Sequence, residues 1–334
     1  MLELVVAGGM VLSLTLYAVL GGADFGGGIW DLLATGPRAH AQQEAIGSAI
    51  GPIWEANHVW LILTVVLLFT GFPEGFAAAM TALNIPVTVM LIGIVLRGSA
   101  FVFGKYDPGD AGVRRRWGAV FGVSSVITPF CQGAIIGALA SGDIHVVDGQ
   151  VTTGFLAGWM TPFAVSCGVF AVLLFAFLAA TYLTIDTEGR PELQDDFRRR
   201  ALATGAALVP VAVVVFVASS SGAPGIRAGL TSWWGLLIIA GAVGCSVMAL
   251  AGLWQRRFRL ARIAAVGQVA LILAGGSVAQ YPDIVAPDVT IMNAHAPEVT
   301  LRLLIIVVAV GGLVLVPSLV FLFRLFKGRA SLAH

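Results

Sequence analysis

The sequence predicts an all-α integral membrane protein with about nine transmembrane helices. Of its 334 residues, 58% are apolar and only 11% are charged, and the mean hydropathy is +0.94. A soluble domain carries about 25% charged residues, so this composition excludes a soluble globular protein. The net charge of +1 also argues against a nucleic acid or an acidic macromolecule as the partner.

Nine stretches are long and apolar enough to cross a bilayer, which takes about 20 residues. No cationic segment precedes the first stretch, so we expect a retained helix there and not a signal peptide. The three cysteines lie far apart without a C-x-x-C pair, which excludes a disulfide framework and a zinc site. The predicted spans run from Val5 to Leu33, Ala45 to Phe72, Phe76 to Phe103, Trp117 to Ala140, Thr153 to Leu183, Ala201 to Ala218, Ser232 to Leu253, Ile263 to Gln280 and Leu301 to Leu325.

The distribution of positive charge predicts the orientation. Sixteen of the 19 Lys and Arg residues lie in the connections after spans one, three, five and seven or in the C-terminal tail. Cytoplasmic loops carry an excess of Lys and Arg, so we expect the N-terminus outside and the C-terminus in the cytoplasm. The same rule explains the runs Arg114–Arg116 and Arg198–Arg200 as topogenic anchors. None of the connections is long enough for an independent soluble domain.

Three ionisable residues lie within predicted spans, namely Asp24, Glu55 and Arg97. Such residues cost roughly 2.5 to 3.5 kcal/mol each on insertion scales, so they are the first candidates for function. At 1.5 Å per residue, Asp24 and Glu55 lie roughly 14–15 Å from the cytoplasmic surface and Arg97 roughly 9 Å. Because the two carboxylates have matching depths on consecutive antiparallel helices, we expect them to face each other.

A carboxyl group desolvated at this depth can carry a proton near neutral pH. The three residues therefore predict a proton uptake half-channel that opens to the cytoplasm. The alternative is a structural ion pair, in which Arg97 only neutralises Asp24 or Glu55.

The segment around Glu55 is unusually polar for a membrane span. Glu55 and His58 are three residues apart and share a helical face, and Asn57 and His58 can hydrogen-bond across a helix interface. His58 is the only histidine at membrane depth. For His58, a role as a polar residue beside Glu55 is favoured over a role as an axial haem ligand. Trp54 and Trp60 either line a path or pack in the core, and packing is favoured.

A glycine-rich segment surrounds Asp24. Gly22 and Gly26 form a G-x-x-x-G pair, which lets another helix approach closely and shield the carboxyl group. The segment lacks the G-K-[ST] ending of a phosphate loop, so it does not support nucleotide binding.

These segments resemble subunit II of the cytochrome bd-type quinol oxidases. The resemblance extends in one order from span one to span nine, and its most specific part is Trp54 to Trp60. The matching segments are Gly22 to Gly28, Ala49 to Leu61, Arg97 to Phe101, Thr161 to Phe163, Ala180 to Leu183, Thr187 to Gly189 and Asn293 to Ala294.

The resemblance implies a multi-pass subunit of a respiratory oxidase in the bacterial plasma membrane that oxidises quinol and reduces dioxygen to water. It assigns haem b, haem d and quinol oxidation to subunit I, the partner, so this chain is expected to hold no haem or metal and to be non-catalytic alone. It also implies two four-helix bundles and one peripheral helix. We expect residues 1–140 to form the first bundle with the buried charges and 141–280 the second, followed by the outer loop, ninth span and tail in 281–334.

The resemblance further implies roles for the buried charges. The proton route of the family draws on the acids that match Glu55 and Asp24, and Arg97 matches the arginine of the third span. Many relatives carry Asp where this chain has Glu55, whose carboxyl group reaches one methylene further. Whether a structural quinone or a small accessory subunit is present stays open.

Two other functions remain as alternatives. An ion-coupled secondary transporter would suit the intramembrane acids and Pro86 within span three. However, the charges cluster in spans one to three without a matching set in spans five to seven. A purely structural assembly subunit predicts that neutralising Glu55 impairs assembly more than turnover.

Overall fold

A computed structural model of the chain describes residues 1–51, 53–106 and 111–328. Pro52 of the resembling segment and Arg329 of the basic tail lie outside the described residues. The helices are α1 (Leu2–Leu32), α2 (Ala39–Ile50), α3 (Trp54–Asn57), α4 (Val59–Gly71), α5 (Pro73–Ala82), α6 (Asn84–Tyr106), α7 (Ala111–Ser141), α8 (Pro162–Asp186), α9 (Pro191–Gly222), α10 (Pro224–Thr231), α11 (Trp233–Trp254), α12 (Phe258–Gln280) and α13 (Glu298–Gly328). The strands are β1 (Val146–Val147), β2 (Gln150–Val151), β3 (Asp283–Val285) and β4 (Val289–Thr290), paired as two short antiparallel ribbons.

Within these residues, nine helical segments are long and apolar enough to cross a membrane. They are α1, α3 together with α4, then α6, α7, α8, α9, α11, α12 and α13. The predicted fold class, an all-α membrane protein with nine spans, is confirmed. The orientation of the termini and the division into two bundles stay predictions.

The second span differs from its prediction because it is interrupted. The expected single helix from Ala45 to Phe72 is α2, a break after Ile50, the single turn α3 and then α4. The Gly51-Pro52 sequence accounts for the break, because proline has no N–H group to donate within a helix. Hydropathy alone does not locate such a break, because it measures how apolar a stretch is and not whether its helix is continuous.

The third and fifth spans begin later than expected. Span three is divided at Leu83 into α5 and α6, and Pro86 lies in the first turn of α6, where a proline is tolerated. Span five begins at Pro162 instead of Thr153, because residues up to Thr161 form the β1–β2 ribbon and turns. Thr161 caps α8 by accepting a hydrogen bond from the Ala164 N–H at 3.2 Å.

Helix α1 lies at the centre of the packing and contacts α4, α7, α8 and α12. In its C-terminal part, α1 approaches α8 so closely that a Cβ atom added at Gly26 would overlap the main-chain oxygen of Phe175. At Gly22 the added atom would lie 2.6 Å from the Phe175 ring. Trp30 Nε1 also donates to the Ala176 carbonyl at 2.7 Å. The close helix approach expected at this glycine pair is therefore present, and α8 is the helix that approaches.

We call the end of the molecule at which α1 and α8 end and α2, α9 and α12 begin the basic face. Arg38 forms a bidentate ion pair with Asp196 of α9, in which its Nε donates to Oδ2 at 2.8 Å and its Nη2 donates to Oδ1 at 2.7 Å. Gln42 of α2 donates to the same carboxylate at 2.8 Å, and Arg200 donates to Gln42 at 2.7 Å. The Asp196 carboxylate raises the pKa of Arg38 through this hydrogen bond and its charge. These contacts hold the turn between α1 and α2 against α9.

Candidate functional site

The carboxyl group of Asp24 lies inside the protein. Asp24 is on α1, eight residues before the helix ends at Leu32, which is about 12 Å along the axis. The residue is only 4% exposed, and Asn57 Nδ2 donates to its Oδ2 at 2.7 Å. The carboxyl group is thus shielded from lipid and held by a polar side chain.

Asn57 is positioned by the interrupted second span. It is the last residue of the single turn α3 and is 1% exposed. Its amide nitrogen also contacts the Leu20 carbonyl at 3.4 Å, so both amide interactions are with α1. Its Oδ1 is buried and accepts no hydrogen bond from the described residues. A buried acceptor of this kind calls for a donor such as an ordered water molecule.

Arg97 enters the same region from α6 and is 2% exposed. Its Nη2 donates to the main-chain oxygen of Asp24 at 2.8 Å, and its Nε donates to Ser125 Oγ at 3.2 Å. The guanidinium carbon lies 4.7 Å from the Phe25 ring centre and 5.1 Å from that of Phe121. Arg97 therefore joins α6 to α1 and α7 directly beside Asp24. We call Asp24, Asn57, Arg97 and Ser125 the Asp24 cluster.

Glu55 lies on the other side of α3 from this cluster. It is exposed on the surface of the chain, whereas Asn57, two residues later, is buried. Residues two apart on a helix are separated by about 200°. From their matching depths, we expected the carboxyl groups of Asp24 and Glu55 to face each other. In the structure, Glu55 is exposed on the side of α3 that is turned away from Asp24. Depth does not determine the direction of a side chain, which here follows from the break before α3.

His58 and the two tryptophans surround the inner face of this turn. His58 Nδ1 lies 2.8 Å from the Trp54 carbonyl, which can only accept, so Nδ1 carries the proton in this bond. The His58 ring meets Tyr17, Phe25 and Trp54 edge-on at 5.8 to 6.0 Å. His58 Nε2 and Trp60 Nε1 are buried without a hydrogen-bond partner among the described residues. The ring of His58 is thus packed among aromatic side chains of α1 and α3.

A cavity of about 50 Å³ extends from Asp24 towards the basic face. It lies between α1, α2, α3 and α8, with one contribution from α12. Its polar lining consists of Asp24, Asn57, Tyr182, Asp186 and Arg262, and the remaining lining is apolar. Asp186 is the last residue of α8 and Arg262 lies in the second turn of α12, so both lie near the basic face.

Sequence reasoning missed Tyr182, Asp186 and Arg262. Asp186 stood outside the predicted fifth span, and Arg262 was counted among the topogenic cations. Nothing in the sequence singled out Asp186 and Arg262, because charged residues near the ends of spans are common. Only the packing of α8 and α12 against α1 places them on the same cavity as Asp24. Among the described residues, no group of three or more His, Cys, Asp or Glu side chains could hold a metal ion.

Comparison with known proteins identifies a matching family model over nearly the whole chain, together with similar individual proteins. The family model for cytochrome bd terminal oxidase subunit II matches residues 2–326. Cytochrome bd ubiquinol oxidase subunit 2 of Bacillus subtilis is 26% identical over 328 residues, which cover 93% of this chain and 92% of that one. Cytochrome bd-I ubiquinol oxidase subunit 2 of Escherichia coli is 29% identical over 196 residues, covering 58% and 50% of the two chains.

A solved structure shares the fold. The bd oxidase structure from Geobacillus thermodenitrificans contains a chain that superposes with a TM-score of 0.77, at 21% identity. The superposition covers 97% of this chain and 98% of that chain. The arrangement of helices is therefore that of a known membrane protein chain from end to end.

Proposed function

Because the chain belongs to the cytochrome bd terminal oxidase subunit II family, we propose that it is the haem-free subunit that supplies protons to its partner. As a member of this family it is a multi-pass bacterial plasma membrane protein and part of a quinol oxidase complex with a subunit I. Haem and quinol belong to that complex. What supports a haem-free chain is that His58 is the one histidine within the described spans, and its ring is packed among aromatic side chains.

The observation that carries the proton route is the buried carboxyl group of Asp24 on a cavity that extends towards the basic face. The positive-inside rule places this face in the cytoplasm. Protons consumed when dioxygen becomes water would then reach Asp24 from the cytoplasmic side. The Asp24 cluster holds the carboxyl group through Asn57 and keeps Arg97 beside it.

Glu55 provides the exit from this chain. The same turn, α3, carries Asn57 towards Asp24 and Glu55 towards the surface. An exposed carboxylate within a span is costly in lipid, so we place the partner subunit against it. In this arrangement a proton held at Asp24 passes beside α3 to Glu55 and from there to subunit I. Trp54 and His58 pack beside this path, and Trp60 follows on α4.

Replacing Asp24 with asparagine tests the route. The amide is nearly isosteric and can still accept from Asn57, but it cannot carry a proton, so we expect dioxygen reduction to fall at least about tenfold. The measurement is quinol-dependent oxygen uptake by the co-purified complex, normalised to haem content from the visible spectrum. Proton uptake followed with a pH indicator should slow in parallel.

A matched control is Asp148→Asn, the same chemical change in an exposed outer turn. Asp148 has a φ of 49°, a left-handed conformation that asparagine also adopts readily, so turnover should stay normal. Normal turnover of the Asp24→Asn complex at full haem content would remove Asp24 from the proton route.

We expect Glu55→Gln to slow turnover about threefold to tenfold with the complex assembled and its haems retained. The effect is smaller than at Asp24 because a surface carboxylate can be bypassed by water at the subunit boundary. Glu55→Asp keeps a titratable group at the same place and should retain most of the activity. Oxygen uptake per haem and the yield of complex separate the hypotheses. Lost assembly with normal turnover per haem would favour the structural subunit instead.

A further inference from the structure

The cavity beside Asp24 has the size and the polar lining of a site for water. A buried water molecule needs about 10–15 Å³ of such space and several polar partners, and this cavity offers about 50 Å³. Asn57 lines it, is 1% exposed, and has an Oδ1 atom without a hydrogen-bond donor among the described residues. An acceptor buried against a cavity of this size calls for a donor such as a water molecule.

The far end of the cavity carries a pair of opposite charges. Asp186 and Arg262 both line it and are half-buried. The Arg262 guanidinium carbon lies 4.6 Å from the ring centre of Tyr182, whose hydroxyl donates to the Val19 carbonyl at 3.2 Å. The arginine is thus supported on one wall by a ring that α1 and α8 hold in place.

The two ends of the cavity, at Asp24 and at Asp186, are farther apart than the length of a hydrogen bond. Asp24 lies about 12 Å before the end of α1, whereas Asp186 is the last residue of α8. The wall contributed by α2 is apolar, so the charged groups around the cavity are Asp24, Asp186 and Arg262. The two carboxylates are therefore too far apart for direct proton transfer, so the transfer needs a carrier between them such as water in the cavity.

We propose that this cavity holds a short chain of water molecules and that Asp186 and Arg262 form its proton-loading mouth. The proposal rests on the proton route through Asp24 and extends it to the cytoplasmic surface. Asp186 collects protons and its charge offsets Arg262, which alone would repel a proton from the mouth. The balance of charge at the mouth then controls how fast Asp24 is reloaded.

The first test is Asp186→Asn in the co-purified complex. We expect turnover per haem to fall about fivefold at alkaline pH, where protons are scarce, and less at acidic pH, since the lost group assists collection. The KM for quinol and the haem content should not change. Exchanging Arg262 as well, in Asp186→Asn with Arg262→Gln, should restore part of the rate, because the uncompensated positive charge is gone. The control is Glu188→Gln, an exposed acid two residues further along.

The second test fills the cavity without changing charge. Ala49 of α2 lines it, so Ala49→Leu should displace water and slow turnover about fivefold at full haem content. Ala203→Leu, at an exposed position of α9, is the matched control and should have no effect. If turnover is slow in Asp24→Asn but normal in Asp186→Asn, the proposed mouth is wrong and the proton route through Asp24 stands. Normal turnover in Asp24→Asn would overturn both.

Discussion

Replacing Gly26 with alanine is expected to abolish accumulation of the folded chain and of the oxidase complex. A Cβ atom at this position would overlap the main-chain oxygen of Phe175 and crowd Ala179 of the same helix. A main-chain atom cannot move away by changing rotamer, so α1 and α8 would have to separate. We expect a cost above about 3 kcal/mol, at or beyond the upper end for overpacked cores.

Gly8→Ala is the matched control for this prediction, because it makes the same change on the same helix. Nothing lies within 4 Å of a Cβ atom added at Gly8, and alanine in a helix is favoured over glycine by roughly 0.5–1 kcal/mol. The yield of Gly8→Ala should therefore equal or slightly exceed that of the natural chain. Yield after detergent extraction and the haem content of the complex are the measurements. Equal yields for both variants would show that α8 does not approach α1 at Gly26.

The sequence predicted the spans well because a bilayer imposes a simple requirement. Each crossing needs a long apolar stretch, and the nine stretches found by composition match the nine helical segments of the described residues. The breaks within spans two and three were missed, because the hydropathy of a stretch does not show where its helix is interrupted. Both predicted spans are apolar enough on average to cross a bilayer, and only the helix geometry shows that the second contains α2, α3 and α4 and that the third contains α5 and α6.

The site was predicted in part, for a related reason. A charge within an apolar stretch stands out in the sequence, so Asp24 and Arg97 were found, and the structure places both in the buried cluster. The direction of Glu55 could not be predicted, because it depends on the helical register after the break. Asp186 and Arg262 could not be predicted either, since charged residues at helix ends are ordinary. Their significance arises only from the cavity they share with Asp24.

The structure also bears on the transporter alternative. Broken helices that form a transport site place unwound backbone near mid-membrane. Pro86, the residue that suggested such a break, lies in the first turn of α6, which begins at Asn84. Arg97 follows in continuous helix. The polar lining of the described cavity extends from Asp24 to one face of the protein, which suits the uptake of protons better than alternating access.

Arg97→Ala is expected to lower the yield of assembled complex severely. The substitution removes the hydrogen bonds to the Asp24 carbonyl and to Ser125, and it removes the packing of the guanidinium between Phe25 and Phe121. It also takes the positive charge away from a buried carboxyl group. Breaking a buried charged arrangement by deleting one partner costs about 3–5 kcal/mol. Yield and haem content of the purified complex measure the effect.

Two further substitutions at Arg97 separate charge from packing. Arg97→Met fills much of the same space without charge, whereas Arg97→Lys keeps the charge but loses the planar donors that reach both acceptors. If charge beside Asp24 is what matters, Lys should restore more of the yield than Met. Arg302→Ala removes an exposed arginine that pairs with Glu298 on its own helix, so it should change the free energy of unfolding by less than about 1 kcal/mol. Undiminished yield and haem content in Arg97→Ala would show that Asp24 does not depend on Arg97. The Asp24 cluster would then be held by Asn57, and Asn57→Ala would become the variant that lowers the yield.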